Sequence, residues 1–87
     1  MSGRRRRYRK RPEIIEAVRF TGKNIETVKS FLGDQFQMHP IHNRPIIRTM
    51  RGDLLVSKEM YIVKQVDGSF MTMEPMPFRR MYERVQD

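Results

Sequence analysis

Asp67-Gly68 lies between two apolar runs, residues 61–66 and 70–73. An Asp-Gly pair readily supplies the two positive φ values of a type I′ turn, so the flanking runs are expected to fold back on each other as an antiparallel hairpin. A two-residue loop would set Val66 opposite Ser69, Gln65 opposite Phe70, Lys64 opposite Met71, Val63 opposite Thr72 and Ile62 opposite Met73. Ile62 and Met73 would then share the core face.

Other elements can be read around this hairpin. Residues 14–20, Ile-Ile-Glu-Ala-Val-Arg-Phe, are β-branched and aromatic with imperfect period two and stop at Thr21-Gly22, the pattern of a mostly buried strand. Ile25, Val28, Phe31 and Leu32 form one apolar stripe of a helix over 25–32. Asn24 can cap its free amides, Glu26 suits the positive end of its dipole, and Gly33 offers a left-handed stop. Residues 34–45 are polar and proline-rich and read as an exposed loop. Short apolar runs at 46–50 and 54–56 flank Arg51-Gly52-Asp53, which reads as a turn. After Pro77, Phe78, Met81, Tyr82 and Val85 recur at helical spacing, although residues 81–85 also suit a last strand.

The expected class is therefore α+β: a small antiparallel sheet of about four to five strands, one packed helix over 25–32 and a short C-terminal helical turn. At 87 residues there is room for one modest core, so residues 13–87 are expected to form a single domain. The 38% hydrophobic and 32% charged content suits a globular chain, with one local exception. Lys and Arg exceed Asp and Glu by 18 to 10, and seven of those positives, Arg4, Arg5, Arg6, Arg7, Arg9, Lys10 and Arg11, fall in one window without an acid. The remaining 11 basic residues face 10 acids, so the excess charge belongs to the N-terminal segment. Like charges this dense repel one another, and residues 1–12 are expected to form a disordered, arginine-rich arm closed by Pro12.

Guanidinium groups fork onto phosphates, an aromatic ring can stack on an unpaired base, and binding releases counterions. The segment from Arg4 to Arg7, with Tyr8, Arg9, Lys10 and Arg11, is accordingly the candidate nucleic-acid-binding site, for DNA or RNA alike. The same composition suits a solvated tail, an acidic membrane surface or an acidic protein. A second candidate surface is the methionine-rich end: eight methionines are many for this length, and Phe70, Met71, Met73 and Met76 could form an adaptable patch for a protein partner or a second copy.

Catalysis lacks its reagents. There is no cysteine, so no disulfide, thiolate metal site or thiol nucleophile is available. His39 and His42 flank Pro40-Ile41, but two ligands do not close a metal site. Ser57 and Ser69 have no histidine at a recognisable spacing, and no glycine-rich phosphate loop is present. A non-enzymatic protein without metal or cofactor is expected. No apolar run approaches a membrane span or a signal peptide, which points to the cytosol.

Several blocks carry a resemblance. Glu16-Ala17-Val18-Arg19-Phe20-Thr21-Gly22, the capped helix from Asn24 to Gly33, Gly52-Asp53 leading to Tyr61-Ile62-Val63-Lys64, Asp67-Gly68-Ser69-Phe70, and Pro75 through Phe78 to Tyr82-Glu83 recur in that order. From Ile15 to Val85 the chain resembles a family of small bacteriophage and prophage proteins with no established activity. Members carry Pro-Gly-Asp-Trp or similar ahead of an Ile-Ile-Lys-Gly strand, where this chain has Lys58-Glu59-Met60-Tyr61. The basic segment lies outside the family pattern. The resemblance implies a phage accessory protein acting in the host bacterial cytosol. The reading that follows is nucleic-acid binding through the arm, with a host or phage partner held by the domain. The competing reading is an oligomeric protein that blocks a host factor or sequesters a small nucleotide signal.

Overall fold

The computed structural model describes residues 5–10 and 13–85, an α+β fold built on two antiparallel sheets. In chain order the elements are β1 (Arg6–Lys10), β2 (Glu13–Arg19), α1 (Ile25–Leu32), a 3-10 turn (Gly33–Gln35), β3 (Phe36–Met38), β4 (Pro45–Thr49), β5 (Gly52–Leu55), β6 (Tyr61–Lys64), β7 (Phe70–Met73), α2 (Pro75–Met81) and β8 (Glu83–Arg84). The five-stranded sheet runs β7-β6-β2-β1-β8 and the three-stranded sheet β3-β4-β5.

The larger sheet is buried on both faces, which explains the imperfect alternation in β2. Val18 and Ile62 point to one side, where α1 and the smaller sheet add Val28, Phe31, Leu32, Ile47 and Val56. Ile15, Ala17 and Val63 point to the other, where α2 brings Phe78. Pro75 opens α2, a position where its missing N–H costs nothing. Phe78 lies flat on Tyr61, with centroids 3.9 Å apart and planes at 8°, while the edge of Tyr8 meets Phe78 at 4.7 Å.

Helix α1 has the expected bounds, and Gly33 stops it at φ 60. Its cap differs. The Asn24 side chain makes no bond to the helix; its Oδ1 accepts from the Thr21 N–H and hydroxyl, and its Nδ2 donates to the Arg19 carbonyl. Asn24 thus ties the β2–α1 connection together rather than the first turn of α1.

The hairpin forms in a different register from the expected one. Lys64 faces Phe70, Val63 faces Met71, Ile62 faces Thr72 and Tyr61 faces Met73. Gly68, at φ 89, donates its N–H to the Gln65 carbonyl, and Gln65 donates to Ser69, so the loop is one residue longer than a type I′ turn. The Asp67 carboxylate stabilises this longer loop by accepting from the Ser69 N–H at 2.9 Å and hydroxyl at 2.6 Å. The one-residue shift sends Ile62 and Met73 to opposite faces, and both faces are core.

Two further readings are corrected. Within 34–45, Phe36–Met38 pairs with β4, so the expected loop shrinks to the turn around His39 to Arg44. Residues 81–85 divide between helix and strand, since Met81 closes α2 and Glu83–Arg84 joins the sheet. The Ser57-to-Met60 segment forms a tight turn ahead of β6. Met60 donates to the Ser57 carbonyl at 3.1 Å, and Glu59 takes the positive φ, 77°, that glycine usually supplies in a type II turn. Its N–H bonds the Phe20 carbonyl at 2.6 Å and its carboxylate pairs with Arg19, so two anchors hold the strained residue.

The largest correction is the N-terminal segment. Residues 6–10 are not a disordered arm; they form β1, hydrogen-bonded between β2 and β8. Two strand neighbours satisfy its backbone groups, and alternation sends successive side chains to opposite faces, separating the like charges. The register also sets an acidic residue opposite a basic one, Glu16 to Arg7. Opposite-charge pairs across antiparallel strands contribute roughly 0.2–1 kcal/mol each. Arg4, Arg11 and Pro12 lie outside the described residues.

Candidate nucleic-acid interface

Strand β1 sorts the candidate residues by parity. Arg6 pairs with Ala17 and Tyr8 with Ile15, both on the α2 face. Tyr8 is half-buried there in edge contact with Tyr61 and Phe78, so its ring belongs to the core and offers no platform for a base. Burial pushes its hydroxyl above the usual tyrosine pKa, Tyr61 adds to the rise, and the Arg19 and Arg79 guanidiniums oppose it. The sequence reading of Tyr8 as a stacking or wedging residue is corrected accordingly.

Arg5 and Arg7 emerge on the opposite face and are exposed. Arg7 pairs with Glu16 in register and is also engaged within the fold. The part of this face over β1 and β2 lies beyond the cover of α1, as the 52% exposure of Ile14 shows. Arg5 reaches back over α1: its guanidinium carbon sits 5.1 Å from the centroid of the Phe31 ring, a cation–π contact. Beside it lies a shallow, open depression lined by Arg5, Glu26, Thr27 and Ser30. Arg9 and Lys10 are placed by their backbone register alone.

The three α1 side chains lining this concavity were not legible as site residues. Glu26 stood out only as a partner of the helix dipole and Thr27 and Ser30 not at all, because their proximity to Arg5 depends on a strand that the charge density argues against. The missed signal was Tyr8, one aromatic residue alternating with basic ones just before Pro12 and the strand at 14–20.

The second candidate surface is dispersed. Phe70 packs edge-on against Phe31 at 5.4 Å, in the core beneath α1. Met71 and Met73 lie half-buried against the aromatic cluster, and Met76 on α2 is 58% exposed. These four residues do not form one patch. The rings of His39 and His42 meet at 37° with centroids 4.5 Å apart, and the His39 Nδ1 accepts the N–H groups of Ile41 and His42, so that nitrogen is committed to the loop. Among the described residues no three potential ligands gather around a metal position, and no helix is long and apolar enough to cross a membrane. No family model, curated protein or solved structure matches the chain.

Proposed function

We propose that this protein is a non-enzymatic bacteriophage accessory protein that binds nucleic acid through the outer side of β1. The observation that carries the reading is the placement of Arg5 and Arg7 as exposed neighbours on one side of a strand held from both edges. Residues two apart in an extended chain stand about 6.8 Å apart, so Arg7 on β1 and Arg5 just before it, leaning over α1, form a short row of two candidate phosphate contacts. The net charge of +8 draws a polyanion in, and the row gives it a place to settle.

Deleting the segment would remove a central strand, so the test uses side-chain substitutions. Fluorescence anisotropy with a labelled single-stranded oligonucleotide over a salt series should show affinity falling steeply with salt. Arg5→Gln with Arg7→Gln should lower that slope by about 0.7 for each lost phosphate contact while circular dichroism stays unchanged. Binding that ignores salt, or a doubly substituted protein that binds like the parent, refutes the reading.

A second reading, self-association, is favoured by β7. This strand ends the sheet, carries no charge and, among the described residues, pairs only with β6. Light scattering at increasing concentration should then show a dimer that Thr72→Lys dissolves; a monomer at every concentration removes this reading.

A further inference from the structure

We infer that the concavity beside Arg5 is a niche for one unpaired nucleobase, and that it selects guanine; the inference rests on the nucleic-acid reading above. Three features define the ligand. The Arg5 guanidinium lies against the Phe31 ring, so its outer side can carry another flat group, as arginine planes do for unstacked bases. Glu26 contributes a carboxylate that only accepts hydrogen bonds and repels phosphate, so the niche suits a neutral group rich in N–H donors. Thr27 and Ser30 contribute hydroxyls that adjust to either donor or acceptor.

Among the bases, guanine alone presents two adjacent donors, N1–H and the N2 amino group, which match the two oxygens of a carboxylate. Its O6 remains to accept from a Thr27 or Ser30 hydroxyl. Cytosine and adenine place a ring acceptor beside their amino group, and thymine or uracil flanks a single N–H with two carbonyls, so each would set an acceptor against Glu26. The niche adjoins the β1 arginines, so a strand whose phosphates follow that row can turn one base into it.

The experiment is anisotropy competition with the full chain and 12-residue oligonucleotides of thymine, or of uracil for the RNA arm, carrying one central guanine, inosine or adenine. A single guanine should strengthen binding by about fivefold or more. Inosine, which lacks the N2 amino group, should lose most of that gain. Glu26→Gln should abolish the guanine preference while leaving the salt slope and the circular dichroism spectrum unchanged. Equal affinity for guanine- and thymine-containing strands, or a preference that survives Glu26→Gln, overturns the niche and leaves salt-dependent binding standing. Absence of binding to every oligonucleotide overturns both readings. The DNA and RNA arms show which backbone delivers the base.

Discussion

The two faces of the five-stranded sheet are closed by different parts of the chain. Under α1 and the small sheet the filling is mainly aliphatic, with Val18, Val28, Leu32, Ile47, Val56 and Ile62. Under α2 a smaller cluster packs its four rings, Tyr8, Tyr61, Phe78 and Tyr82, against one another beside Ile15, Ala17, Val63, Met71 and Met73. The aliphatic face draws on the middle of the chain, whereas the aromatic face needs residues near both ends. A strand rich in arginine is therefore packed into the core on one side, through Tyr8, and exposed on the other, where Arg5 and Arg7 emerge.

The comparison breaks most readily at Phe78. This ring is 1% exposed, and Phe78→Ala should cost about 3–5 kcal/mol, against about 2–5 kcal/mol for Ile62→Ala on the aliphatic face. Urea unfolding measures both. If Phe78→Ala costs under about 1 kcal/mol, the aromatic layer is decoration and the faces are not equivalent supports.

A smaller effect is expected at Glu59, which borders the aromatic face through Arg19. Positive φ costs a non-glycine residue on the order of 1 kcal/mol, and a partly exposed ion pair returns at most about as much. Glu59→Gly should therefore leave stability near that of the parent, while Glu59→Ala keeps the strain, loses the pair and falls about 1 kcal/mol below Glu59→Gly. The reverse order in thermal unfolding would show that the positive φ does not govern this turn, and a Glu59→Gly protein well below the parent would assign the difference to the Arg19 pair.

The pH responses of the two regions should also diverge. Tyr8 has a raised pKa in the fold, so its neutral form is the favoured one. The associated stability is complete below the ordinary value of 10.0 and is lost as pH rises through the higher folded value. Tyr8→Phe should flatten the alkaline decline in urea midpoint; an unchanged decline would assign it elsewhere. Asp67, fully exposed in the hairpin loop, has a lowered pKa because of the Ser69 hydroxyl and N–H bonds. Its contribution is present above the usual carboxylate value and fades as pH falls through the lower folded one. Asp67→Asn should remove a slight acid-side loss visible in melting curves, the smallest effect of the set.

How far each region was legible follows from where its information resides. Helix α1 was readable because Ile25, Val28, Phe31, Leu32 and Gly33 carry their message within a few turns. The Asp67-Gly68 hairpin was readable as a hairpin, yet its register depended on whether the Asp67 side chain would bond Ser69, which the dipeptide alone does not decide. Strand β1 was hidden because its stability comes from distant residues: Ile15 and Glu16 on one edge, Glu83 and Arg84 on the other, and Phe78 beneath Tyr8. Strand β3 is three residues long and acquires strand character only by facing Pro45, Ile46 and Ile47. Of the site, Arg5 and Arg7 were visible as charge, while the side chains of α1 beside them required the assembled sheet.

The Val85 N–H bonds the Arg7 carbonyl at 3.2 Å. The two extremities of the folded body consequently lie shoulder to shoulder, at the end of the larger sheet remote from β7. A fluorophore pair placed on β1 and β8 would therefore report the separation of these two strands directly.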